Sequence, residues 1–438
     1  MHTMYSTHCS SALPVSADVL RPDSRCISLF FVRLADVVAR STSSQRSTRP
    51  CSMPSWSDIP LELAGLVLRL LPTYADRARF AGVCPQWRSA ARQLPVPPPL
   101  PLLALPDGTL YSLPCTQPFR FPGCGFAGFN SACRGYLVFP QDDICFLVNP
   151  FSRATVTLPA LSSVRLCPPN ADLKNVPAEP STSTWLHIKD KNLCFRKLLL
   201  CSPNLVAAFI NHGVTGQILV CQPGGPSWSV RAYDKCKAFE DMAFHGGKLC
   251  AVSHEEDLFV VSISQDTTTG SPEVSRIRLV IKGDGNPEYL LWTEDTRVDK
   301  KLYLVESHGA LLMVRRMIVS RLILDVFVAE RNEFQVFEAD FKRSQWVNVM
   351  TLGDDQVLFL DRRCSQAVPV SQYGMPGDRI FFLDDDDELN FRNFFFKDDN
   401  ASISVYDMTS QEVSSPLPTV CWDRDRMRLA TWLLPWKN

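Results

Sequence analysis

The chain is 438 residues long, 45% hydrophobic and 21% charged, with a formal net charge of −1. That length holds several domains or one large repeat fold, and the near-zero net charge implies neither nucleic acid nor an anionic membrane surface as a partner. No uninterrupted apolar run reaches about 18 residues, so no membrane-spanning helix is expected.

Sixteen cysteines are present. They form no C-x-x-C pair and no zinc-ligand spacing. They read as small buried apolar side chains in a reducing compartment.

Residues 1–52 carry Arg21, Arg25, Arg33, Arg40, Arg46 and Arg49, many serines and threonines, and no lysine. This composition predicts a disordered leader. An organelle transit segment and a natural start at Met53 are the alternatives.

A helical module is expected over residues 53–94. Asp58 is placed to cap its first helix, and Pro60 falls in the first turn, where a missing N–H costs nothing. Leu63, Leu66, Val67, Leu70 and Leu71 recur at helical spacing up to Pro72. A second helix is expected to carry Phe80, Val83 and Cys84 on one face. Pro85 breaks it, and Trp87 and Ala91 follow at a similar period. Helices of about three turns bury little on their own, which points their apolar faces toward a partner.

Residues 95–101, PVPPPLP, form a proline-rich linker. Such a run favours an extended, semi-rigid conformation, and the domain boundary is expected here.

From residue 102 to 438 the pattern shifts to period 2. Four stretches, starting at Arg134, Gly247, Lys300 and Gly377, read as strand, polar turn, strand. RATVTLP supplies a third strand for the first of them. Weakly similar four-stranded units predict a β-propeller of about six or seven blades, with paired β-sandwiches as the alternative. The fold class expected is thus mainly β, with a small all-α module of about three short helices in front.

No catalytic, metal or cofactor residues emerge. GCGFAG at Gly123 fits G-x-G-x-x-G but is followed by turn and strand instead of a helix. DDDDE at Asp384 lacks the spaced ligands and glycine of a calcium loop and reads as a solvated acidic loop. His187, His212, His245, His254 and His308 are scattered singly, and no G-x-S-x-G elbow occurs. Trp185, Trp228, Trp292, Trp346 and Trp422 sit in or beside strand patterns and read as blade packing.

The helical stretch resembles an F-box. The resemblance lies in Ile59-Pro60 with Glu62 and Leu63, in Leu66 to Pro72, in Asp76 to Phe80, and in Val83-Cys84 with Trp87-Arg88. Ile59 stands where leucine is commoner, and Pro85 where a polar or basic residue is commoner. The rest resembles the KIB-type β-propeller of plant F-box proteins, through GYLVF at Gly135, LVNPFSRATVTLP at Leu147, FEDMAFHGGKLCAV at Phe239 and GDRIFFLDD at Gly377.

The resemblance implies a non-catalytic substrate receptor of an SCF-type ubiquitin ligase. It would dock on a Skp1-type adaptor, and through it on cullin and a RING ligase, with an unidentified protein substrate on the propeller. Ile59, Pro60, Leu63, Leu66, Val67, Leu70, Val83, Cys84 and Trp87 are the residues implied for the adaptor interface or its support. No cofactor, nucleic acid or membrane is implied, and the expected location is cytoplasm or nucleus. The alternatives are a scaffold or decoy whose F-box no longer binds the adaptor, and a propeller enzyme or small-molecule binder.

Overall fold

The computed structural model describes residues 59–71, 73–94, 99–113, 118–121, 126–141, 143–167, 195–212, 215–231, 238–284, 295–323, 326–383, 403–414 and 430–435. The leader, Asp58, Pro72 and the acidic run at Asp384 lie outside them. Two compact units part between Val67 and Leu68.

The first unit carries most of helix α1 (Leu61–Arg69). Its Ala64 N–H donates to the Pro60 carbonyl at 3.0 Å. Pro60 therefore holds the cap position and not the first turn, and the helix starts two residues later than a cap at Asp58 implies.

The second unit opens with α2 (Tyr74–Val83) and α3 (Pro85–Gln93). Thr73 caps α2: its Oγ1 accepts from the Asp76 N–H at 3.0 Å and donates to Asp76 Oδ2 at 2.7 Å, a reciprocal arrangement that satisfies an orphan helix donor. Cys84 caps α3, its Sγ accepting from the Trp87 N–H at 3.5 Å. Pro85 is the first residue of α3. It starts that helix on a preset φ, where the sequence pattern gave it the role of a breaker. Phe80 and Trp87 are buried and stack across the corner, with ring centroids 4.5 Å apart. The expected shared face of Phe80 and Val83 does not exist, because Val83 is exposed.

Of the proline run, residues 95–98 lie outside the described set. Pro99, Leu100 and Pro101 are buried, and Leu100 already belongs to the propeller core.

Six sheets follow, and they form a six-bladed β-propeller. Blade one contains β1 (Leu102–Ala104), β2 (Leu110–Ser112) and β3 (Pro118–Phe119). Blade two contains β4 (Ser131–Cys133), β5 (Tyr136–Gln141), β6 (Ile144–Val148) and β7 (Thr155–Thr157); RATVTLP supplies its fourth strand, not a third. Blade three contains β8 (Val164–Cys167), β9 (Lys197–Ser202), β10 (Leu205–His212), β11 (Thr215–Cys221) and β12 (Trp228–Arg231). Blade four contains β13 (Phe239–His245), β14 (Lys248–Ser253), β15 (Leu258–Gln265) and β16 (Pro272–Ile281). Blade five contains β17 (Thr296–Ser307), β18 (Ala310–Ile323), β19 (Val326–Asp340) and β20 (Gln345–Val349). Blade six contains β21 (Gln356–Leu360), β22 (Gln366–Pro369), β23 (Arg379–Phe382), β24 (Ser404–Asp407) and β25 (Val413–Ser414). The last strand, β26 (Thr431–Leu433), pairs antiparallel with β1 and completes blade one from the other end of the chain.

The core is a series of layers between consecutive blades. Leu102 and Ala104 pack against blade two, while Leu103 and Leu105 pack against blade six. This alternation buries both faces of a strand, so the inner strands read as continuous apolar runs. Each fully buried leucine contributes about 1.5 to 3 kcal/mol. Polar groups join the blades across these layers. Trp228 Nε1 donates to the Pro159 carbonyl at 2.9 Å, and Trp432 Nε1 to the Leu360 carbonyl at 3.0 Å. Asp241 is buried, ion-paired with Lys197 of blade three, and accepts from the Leu304 N–H of blade five at 2.7 Å.

Candidate functional site

The nine residues implied for the adaptor interface divide into three groups. Pro60, Leu66, Leu70 and Val83 are exposed. Leu66, Leu70 and Val83 keep 48%, 55% and 59% of their surface in solvent. Ile59, Leu63 and Cys84 are half-buried, and Val67 and Trp87 are buried. Val67 is thus a core residue, Trp87 is the stacking partner of Phe80, and Cys84 is a helix cap. Leu61, which falls outside the periodic row read from the sequence, is also exposed. An exposed large apolar side chain is ordinary when single. Here exposed leucines recur at 61, 66 and 70 on a nine-residue helix and its last turn.

Two residues of α2 that were not among the nine implied for the adaptor interface touch the propeller. Tyr74 packs among Phe119, Phe121 and Phe151, with centroids 6.4, 5.9 and 4.9 Å away. Arg77 donates from Nε to the Leu71 carbonyl at 2.8 Å and also bonds the Tyr373 side chain. Burial raises the Tyr74 phenol above its usual range.

The propeller offers little for catalysis among the described residues. No group of three or more His, Cys, Asp or Glu side chains is placed to hold a metal. Seven described cysteines are free thiols, and all but Cys84 are buried. Burial pushes Cys133, Cys201 and Cys250 up to about 12, which makes them poor nucleophiles. Glu240 lies between His254 Nδ1 at 3.1 Å and Arg362 at 3.4 Å, and Glu256 pairs with Lys300 and Arg315. These charges are spent on one another. Of the G-x-G-x-x-G stretch, Phe126, Ala127 and Gly128 are described, and they form a turn. Trp228 is buried in the blade core and Trp346 half-buried beside it; Trp185, Trp292 and Trp422 lie outside the described residues.

No helix among the described residues is long and apolar enough to cross a membrane.

Comparison with known proteins follows the same division. The F-box domain model matches residues 56–97, and the KIB1-4 beta-propeller model matches residues 102–408. F-box protein At2g26160 of Arabidopsis thaliana is 22% identical over 368 residues, covering 76% of this chain and 96% of that protein. F-box protein SKIP23 of the same plant is 24% identical over 352 residues, covering 70% and 78%. Putative F-box protein At3g25750, also from Arabidopsis thaliana, is 24% identical over 385 residues, covering 81% and 95%.

Proposed function

The chain belongs to the KIB1-4 β-propeller family, and from that membership we propose that it is the substrate receptor of an SCF-type ubiquitin ligase. The helical module docks on a Skp1-type adaptor, which links it to cullin and the RING ligase. The propeller holds a protein substrate. The chain does no bond chemistry itself; it raises the local concentration of substrate lysines near the ligase.

The observation that carries this reading is the exposure of Leu66, Leu70 and Val83. With about half of its surface exposed, each forgoes roughly half of the 1.5 to 3 kcal/mol that full burial supplies, and a partner surface recovers it. Phe80 and Trp87 are buried within the second unit, so exposed Leu70 and Val83 sit on a formed scaffold.

The test is a pull-down of the chain with a purified Skp1-type adaptor, beside a Pro60→Ala, Leu66→Asp variant. Retention by the native chain and loss by a variant of unchanged melting temperature support the receptor. A native chain that fails to bind makes the module a relic and the propeller a scaffold in its own right. The ligase role requires the cytoplasm or nucleus, and imaging of a fluorescently tagged chain checks that.

A further inference from the structure

Blades four and five face one another across a layer that is apolar near the centre and charged toward the outside. Opposed residues in antiparallel strands share a face. On blade four, Cys250 opposes Val260, Val260 opposes Arg278, and Ser262 opposes Arg276. Lys248 lies two residues before Cys250, on the same face. Cys250 and Val260 belong to the apolar cluster shared with blade five. Lys248, Arg276 and Arg278 therefore leave the sheet on the side of blade five, and all three are exposed.

None of the three has a hydrogen-bond or carboxylate partner among the described residues. The one carboxylate on β16, Glu273, accepts from Ser264 Oγ at 3.1 Å. Glu256, at the turn between β14 and β15, is taken by Lys300 and Arg315.

Blade five answers with apolar surface. Phe337 and Ala339 belong to the shared cluster, with Trp346 packed against it. Phe341 lies two residues beyond Ala339, at the turn between β19 and β20. It is 38% exposed. Phe341 stacks flat on His245, with centroids 5.8 Å apart and planes 4° apart, and His245 Nδ1 is buried without a partner among the described residues. The turn from His245 to Lys248 runs through Gly246 and Gly247 at φ 55° and 74°, a left-handed pair that glycine adopts at no cost. It sets Lys248 beside the stacked rings.

The geometry points to a docking site for an acidic, extended peptide segment of the substrate, with carboxylates on Lys248, Arg276 and Arg278 and an apolar side chain against Phe341. This rests on the reading of the propeller as the substrate-holding part. Three cations with no carboxylate partner among the described residues complement an anionic partner and steer it. Arg276 and Arg278 are two residues apart in a strand, about 7 Å, which is the repeat of alternate side chains in an extended peptide. Separate cations at that spacing suit single carboxylates, whereas a phosphate is better held by arginines converging on one point.

The experiment immobilises the full-length chain and passes three degenerate peptide libraries over it, with aspartate, lysine or phosphoserine fixed at alternate positions. The aspartate library is retained, less so as salt rises, and retention falls at least ten-fold in Lys248→Glu and in Arg278→Glu. The neutral Lys248→Gln, Arg278→Gln pair gives a smaller loss and covers any misfolding by charge reversal. Failure to retain the aspartate library, equal retention of the lysine library, stronger retention of the phosphoserine library, or retention unchanged in the variants each overturns the site. No adaptor is present, so the outcome is independent of whether the helical module docks.

Discussion

Arg77 on α2 bonds the side chain of Tyr373 in the short 3₁₀ turn Ser371–Tyr373 of blade six. With Tyr74 seated among three phenylalanines near blades one and two, α2 is held to the propeller at two separate points. Tyr373→Phe removes one hydrogen bond, about 1 kcal/mol. Combined with Tyr74→Ala it is expected to raise hydrogen exchange in residues 74–83 at least ten-fold while leaving β14 and β18 unchanged. Exchange in α2 that stays slow would show that the helix is held by other contacts.

The helical module contains two kinds of apolar residue, and substitution separates them. Leu66→Asp and Val83→Asp are expected to abolish adaptor binding with melting temperature unchanged, since both side chains are exposed. Phe80→Ala opens a cavity beneath Trp87 and is expected to cost about 3 to 5 kcal/mol, visible in urea denaturation. Destabilisation by the two aspartate variants equal to that of Phe80→Ala would argue that their faces are internal.

Asp241 and Lys197 form a buried pair, each almost fully removed from solvent. Asp241→Ala leaves the Lys197 ammonium and the Leu304 N–H without an acceptor, at a cost of about 3 to 5 kcal/mol. Replacing both charges, as Lys197→Met with Asp241→Leu, is expected to recover part of that loss. Calorimetric melting of the three variants measures it.

Alkaline pH should loosen the propeller. The thiols of Cys133, Cys201 and Cys250 are pushed up to about 12, and those of Cys145 and Cys364 to about 11, by burial. The unfolded chain releases these protons near 9.0, while the folded chain still holds them. Each thiol thus contributes stability that is intact below pH 9 and is lost as pH rises toward the folded values. Melting temperature is expected to fall between pH 9 and 11. Iodoacetamide at pH 8.5 should label half-exposed Cys84 before these five, as read by mass spectrometry.

Much of the fold is written locally in the chain. The hairpins at Arg134, Gly247 and Lys300 are β5–β6, β14–β15 and β17–β18, because strand alternation and turn residues are short-range signals. The blade number is not local. Blade three adds β8, running parallel to β12. Blade six places β21 parallel to β23, with β22 on its other edge. Both additions disturb the spacing that a repeat count depends on. The helical candidates show the same limit. Periodicity marks Phe80 and Val83 as apolar and three apart, but the capped corner at Cys84 brings Trp87 onto Phe80 and leaves Val83 outside. The face from which Lys248 leaves its sheet is illegible for the same reason: a face is assigned by register, and register is set between strands.

The pairing of β26 with β1, Leu103 opposite Trp432, has a consequence for biogenesis. Every other blade can assemble as it leaves the ribosome. The first must wait, its β1 edge unpaired, until residues 431–433 have been synthesised. For that interval the nascent chain is an open arc with a bare strand edge, the geometry that invites pairing with a neighbouring chain. A premature stop that removes Trp432 would leave the arc permanently open. Such a chain is expected to yield aggregate or degradation product and no shortened, folded propeller.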